Sequence, residues 1–117
     1  MKKSALLLAI IILITMPLSV QAASTWAITI RPGLSFSGSE VTCTATIVAN
    51  TTSEHIDATI KLWENGKCIK TWTSSGDGYI FFSERASAVK GNTYKVTVDA
   101  SIAGVSRPTV SFSKEYT

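Results

Sequence analysis

The chain has 117 residues, 45% hydrophobic and 16% charged, with eleven Lys and Arg against eight Asp and Glu and a formal net charge of +3. Lys2 and Lys3 open an apolar N-terminal stretch, and without them the balance is nearly neutral, which with the single spacing of the remaining basic residues excludes a nucleic-acid surface built on charge. The remainder of the chain is long enough for one domain and no more.

Lys2-Lys3, the apolar run 5–14, Pro17 and the pattern Val20-Gln21-Ala22 form the three parts of a secretory signal peptide, with cleavage expected after Ala22. The run is shorter than the ~20 residues that span a bilayer. Residues 1–22 therefore read as a signal peptide. Residues 23–117 read as a single secreted domain with no membrane attachment after cleavage.

From there the chain is a succession of short alternating runs separated by turn residues. Trp26, Ile28 and Ile30 alternate with polar or small residues in a first strand that is expected to end at Arg31-Pro32-Gly33. Leu34 and Phe36 alternate with serines, as an edge strand or as a continuation of the first strand after a kink. Residues 41–49 place Val41, Cys43, Ala45, Ile47 and Ala49 on one face and mostly threonines on the other, the pattern of a half-buried antiparallel strand. After a polar loop at 50–55, the runs 57–64 and 67–73 form a hairpin about Asn65-Gly66, since both residues tolerate the positive φ of a tight turn, with Glu64 and Lys67 as a flanking charge pair. Ser74-Ser75-Gly76-Asp77-Gly78 reads as a loop, 79–83 as an aromatic-rich strand, and 84–89 as a helical turn or an irregular crossing. Residues 93–100 alternate Tyr94, Val96, Val98 and Ala100 against polar residues, and a last strand covers 109–116. Seven or so short strands without a helical period predict an all-β antiparallel sandwich.

Cys43 and Cys68 both lie in the exported part, where an oxidising compartment favours a bridge between them. It would close a loop of about 25 residues, worth roughly 3.5 kcal/mol on the chain-entropy model. The geometry of the Asn65-Gly66 turn decides which way Cys68 points. A two-residue loop sets Cys68 against Trp63 and away from Ile60 and Leu62; a three-residue loop with Gly66 at a bulge sets Cys68 against Leu62, facing inward. Only the second lets Cys68 approach Cys43, so the bridge and the bulged turn are expected together, with Trp63 on the outer face and Lys70 inward at a sheet edge.

Gly91-Asn92-Thr93-Tyr94-Lys95-Val96-Thr97-Val98-Asp99-Ala100, followed by Gly104 to Pro108, resembles strand F and the F–G loop of immunoglobulin-like and fibronectin type III sandwiches. The resemblance gives Tyr94 the tyrosine-corner place, ring buried and hydroxyl bonded to backbone near residues 89–92. The mature chain is also similar to a family of small exported Gram-positive bacterial proteins of unknown function. The shared order is a cysteine strand, an LW-x-x-G-K-C hairpin, an SG-x-G-Y segment and a G-x-TY-x-V-x-V strand. That family brings no activity with it. Strand F here has no cysteine, so the usual bridge from strand B to strand F of immunoglobulin domains cannot form.

Few residues suggest chemistry. His55 is the only histidine and has no second histidine to share a metal; Asp77 between two glycines reads as a turn residue; Asn50-Thr51-Thr52 is a formal glycosylation acceptor in a chain with a bacterial style of signal peptide; and the carboxylates are scattered without a motif. No cofactor or metal is indicated, and the chain reads as non-enzymatic. The aromatic residues are the one surface feature of note, with Trp63, Trp72 and Tyr79 as a candidate binding surface if they alternate outward. The expected role is binding or adhesion at the cell exterior, with an extracellular protein or a glycan as partner. A carbohydrate-binding module using exposed aromatics is the alternative, and a small secreted toxin or enzyme inhibitor a third.

Overall fold

The computed structural model describes residues 28–117; the expected signal peptide, its cleavage site and Trp26 lie outside the described residues. Two antiparallel sheets face each other as an all-β sandwich. The small sheet has the order β1 (Thr29–Ser37), β2 (Glu40–Val48), β5 (Tyr79–Ser87). The large sheet has the order β4 (Lys67–Asp77), β3 (His55–Glu64), β6 (Thr93–Ile102), with β6 paired on its far side by the short β7 (Val105–Ser106) and by β8 (Val110–Glu115). Among the described residues no helix is long and apolar enough to cross a membrane.

The period-2 pattern sets which side chains enter the core. Val41, Cys43, Ala45 and Ile47 of β2 meet Ile56, Ala58, Ile60 and Leu62 of β3 and Tyr94, Val96, Val98 and Ala100 of β6, all buried. Alternate residues of each strand stay outside. At one end Phe36 stacks on Tyr116, ring centroids 4.4 Å apart, and lies 5.5 Å from Tyr94. The Tyr116 hydroxyl there donates to the Gly38 carbonyl.

Strands run further than their turn residues suggest. β1 passes through Pro32-Gly33 as one strand, because it is the edge of the small sheet, where a missing N–H interrupts no inner ladder. Gly33 is there for space, since a Cβ would come within 2.6 Å of Thr44 Oγ1. Residues 74–77 belong to β4, not to a loop, and residues 84–87 continue β5, not a helical turn. Both belong to edge strands; in β4 the Ser74-Ser75-Gly76 tract weakens the ladder without breaking it, and Glu84 to Ser87 contain no residue that would stop β5.

The hairpin between β3 and β4 departs from the bulged turn expected. Asn65 (φ 49°) and Gly66 (φ 86°) make a two-residue turn with Glu64 opposite Lys67 and Trp63 opposite Cys68. The bulge comes two residues later: the register shifts between Leu62 and Trp63, so that Leu62 faces Lys70 and Ile69 is the extra residue. The slip returns β4 to the other parity. Trp72 thus lies opposite Ile60 and packs inward, its ring 5.4 Å from Phe82, where an unbulged hairpin would turn it outward.

The expected Cys43–Cys68 bridge is absent for the same reason. Cys43 is fully buried on the inner face of the small sheet, while Cys68, opposite Trp63, projects from the outer face of the large sheet with its sulfur near Lys70 O and Thr71 Oγ1. The core lies between the two thiols. Lys70 and Glu84 take inner-parity positions on β4 and β5, the edge strands that border the same flank, and both side chains remain exposed.

Candidate functional site

The loop before β6 and the hairpin tip are tied together by polar contacts. Asn65 exchanges two hydrogen bonds with Thr93, its N–H donating to the Thr93 carbonyl at 2.8 Å and its Oδ1 accepting from the Thr93 N–H at 2.9 Å. Tyr94 is fully buried, and its hydroxyl accepts from the Val89 N–H at 2.8 Å and donates to Glu64 Oε2 at 2.5 Å. Burial, then the Glu64 carboxylate, raises the Tyr94 phenol above its ordinary pKa. Glu64 also accepts from Asn92 Nδ2, so its carboxylate braces the corner, and among the described residues it forms no ion pair with Lys67, opposite it across the turn. These residues hold the fold. Burial likewise pushes the Cys43 thiol up to about 11, which leaves it protonated and unreactive.

The candidate aromatic surface divides three ways. Trp72 is half-buried between the sheets beside Phe82. Trp63 lies on the outer face of the large sheet, where its Nε1–H donates to Thr97 Oγ1 at 3.0 Å and Lys95 Nζ sits 5.2 Å from the ring centroid. Tyr79 is on the outer face of the small sheet and 57% exposed. The three therefore form no common ledge.

A different pair does. Phe81, two residues from Tyr79 on β5, is 58% exposed on the same face. The two rings are spaced by about 6.6 Å of strand. Beside them on β2 stand Val48 opposite Tyr79, Thr46 opposite Phe81, and Thr44 opposite Ser83. None of these hydroxyls bonds another side chain among the described residues. The surface next to Thr44 is left low by Gly33 on β1. Two apolar ring faces thus lie beside a row of free hydroxyls on one sheet face.

The outer face of the large sheet is arranged differently. His55 opens β3 with Nδ1 2.8 Å from Asp77 Oδ1 on β4 and Nε2 3.2 Å from Asp57 Oδ1 two residues along. The Asp77 hydrogen bond, then the Asp57 charge, raises its pKa above the ordinary value of 6.5. Sequence reasoning left His55 and Asp77 as unconnected loop and turn residues; the pairing of β3 with β4 brings them together. Past this cluster a groove of about 610 Å³ crosses β4, β3, β6 and β7, with Asp57, Asp99 and Arg107 as its charged lining and serine and threonine hydroxyls between them. Asp99 accepts from the Thr109 hydroxyl. Among the described residues no group of three or more His, Cys, Asp or Glu is placed to hold a metal.

The sequence matches no protein-family model and no curated protein, so the chemistry of these two faces carries the functional reading.

Proposed function

We propose that the chain is an exported, non-enzymatic binding module of immunoglobulin-like, fibronectin type III-like architecture that binds a saccharide at the cell exterior through Tyr79 and Phe81. The observation that carries this reading is the exposure of both rings, 57% and 58%, on one sheet face beside unbonded hydroxyls. A sugar presents an apolar C–H face to a ring and hydroxyls around its rim, and the ledge offers the complement of each. The strand order β1-β2-β5 packed against β4-β3-β6-β8, with β6 and β8 in the places of strands F and G, supports the immunoglobulin-like reading. The N-terminal pattern of Lys2-Lys3, the apolar run 5–14 and Val20-Gln21-Ala22 supports export.

A protein partner is less favoured by area. Two rings exposing about half of a typical 150–250 Å² each provide roughly 200 Å², well under the ~800 Å² per partner of a stable protein interface. Screening the mature protein on a glycan array, followed by calorimetry with the best hit, tests the reading. Tyr79→Ala and Phe81→Ala are each expected to weaken binding at least tenfold, while Trp63→Ala leaves it within twofold. No saccharide bound, or binding indifferent to both ring deletions, refutes it.

A further inference from the structure

The groove on the large sheet carries Asp99 and Arg107, which form no ion pair among the described residues, and Asp57, whose Oδ1 lies 3.2 Å from His55 Nε2. Asp57 and Asp99 face it from β3 and β6 in adjacent cross-strand rows, since Asp57 pairs with Ser101 and Thr59 with Asp99. Neither carboxylate forms an ion pair with Lys or Arg among the described residues, and Arg107 forms none with any carboxylate. The Arg107 backbone is anchored by its N–H to the Ala100 carbonyl at 2.8 Å, which sets its side chain at the end of the Asp99 row. Hydroxyls of Thr59, Ser101 and Ser106 fill the space between.

We infer that this groove is a second binding site, independent of the aromatic ledge, for a small zwitterion of the amino-acid and short-peptide class. Its ammonium group is received by Asp57 and Asp99 and its carboxylate by Arg107. Charge complementarity selects this class: a ligand with one group of each sign satisfies Asp99 and Arg107, which form no ion pair among the described residues, with Asp57, already held by His55, as a second acceptor beside Asp99. The guanidinium fork suits a planar carboxylate. Saccharide is disfavoured here because no aromatic ring lines the groove. A purely cationic ligand would leave Arg107 unanswered, and a purely anionic one would face two carboxylates.

The test is titration of the ¹⁵N-labelled mature protein with glycylglycine, N-acetyl-glycylglycine and glycylglycinamide, followed by amide chemical shifts. Glycylglycine is expected to shift residues 57, 59, 99, 101 and 107 with a Kd of about 1 mM, in the range open to a solvent-exposed polar site. Each capped form is expected to bind at least tenfold more weakly. Arg107→Gln should abolish the preference for a free carboxylate, and Asp99→Asn, which keeps an acceptor for Thr109, should abolish the preference for a free amine. The same spectra show whether each variant is folded. Absence of groove shifts at about 50 mM glycylglycine overturns the assignment, as do equal affinities for all three probes. Phe81→Ala should leave every one of these shifts in place, which separates this result from the outcome at the ledge.

Discussion

The outer faces of the two sheets are made from similar residues but differ in how far they satisfy themselves. On the large sheet Trp63 donates to Thr97 and lies under Lys95, His55 meets two aspartates, and Asp99 takes the Thr109 hydroxyl. Much of that face is committed to itself. On the small sheet the only ion pair among the described residues is Glu40 with Arg85 at 3.7 Å, and Tyr79 and Phe81 stand over half exposed. Threonine and aromatic content alone therefore does not make a binding face. What matters is whether neighbouring strands have already supplied the partners.

The largest expected effect bearing on this contrast is on stability. Trp63→Ala removes a half-buried ring and uncovers Thr97, otherwise 8% exposed, so it should destabilise by about 2–3 kcal/mol. Phe81→Ala on the small sheet should stay within about 0.5 kcal/mol. Urea denaturation of both variants decides it; equal losses would mean that the two faces are equally committed. Next in size is Gly33→Ala, expected to cost about 1 kcal/mol because the new Cβ meets Thr44 Oγ1. Adding Thr44→Ala should recover most of that loss, and a double-mutant cycle without coupling would show that the small sheet relaxes more freely than its packing suggests.

The smallest effect concerns His55. Its folded pKa is raised, so the charged form is favoured by folding: the contribution is complete below about pH 6.5, the ordinary value, and is lost as pH rises through the folded one. The melting temperature of the wild type should therefore fall slightly across that window, and that of His55→Gln should not. NMR titration of the imidazole should show the raised pKa returning toward ordinary in Asp77→Asn. An unshifted His55 would remove the acid cluster from the description of the large sheet.

Much of the architecture was legible because burial imposes period 2: the alternations at 41–49 and 93–100 are the inner faces of β2 and β6. The extra residue in β4 left no comparable mark. Asn65-Gly66 suits either loop length, and a bulge is one position where local propensity is silent and packing decides. Its trace was the awkward inward placement of Lys70; setting the slip at the turn instead of between Leu62 and Trp63 turned Cys68 the wrong way, while Trp72 faces inward in either bulged register. Compartment chemistry then favoured a disulfide that strand parity forbids. The ledge was half visible, since Tyr79-Ile80-Phe81-Phe82 must send alternate rings apart, but which pair goes out depends on the register with β2. The groove was not legible at all. Asp57, Asp99 and Arg107 are far apart in sequence and meet only through the pairing of β3 with β6 and the path after β7.

Lys70 and Glu84 have a bearing on how this chain behaves among its own copies. β4 and β5 end their sheets with unpaired backbone groups, the kind of border along which a foreign strand can dock and start a fibril. Any strand extending the large sheet past β4 would have to cover the Lys70 ammonium, and any strand extending the small sheet past β5 would cover the Glu84 carboxylate. Each charge would lose water without a partner. The flank thereby repels templated growth on both layers.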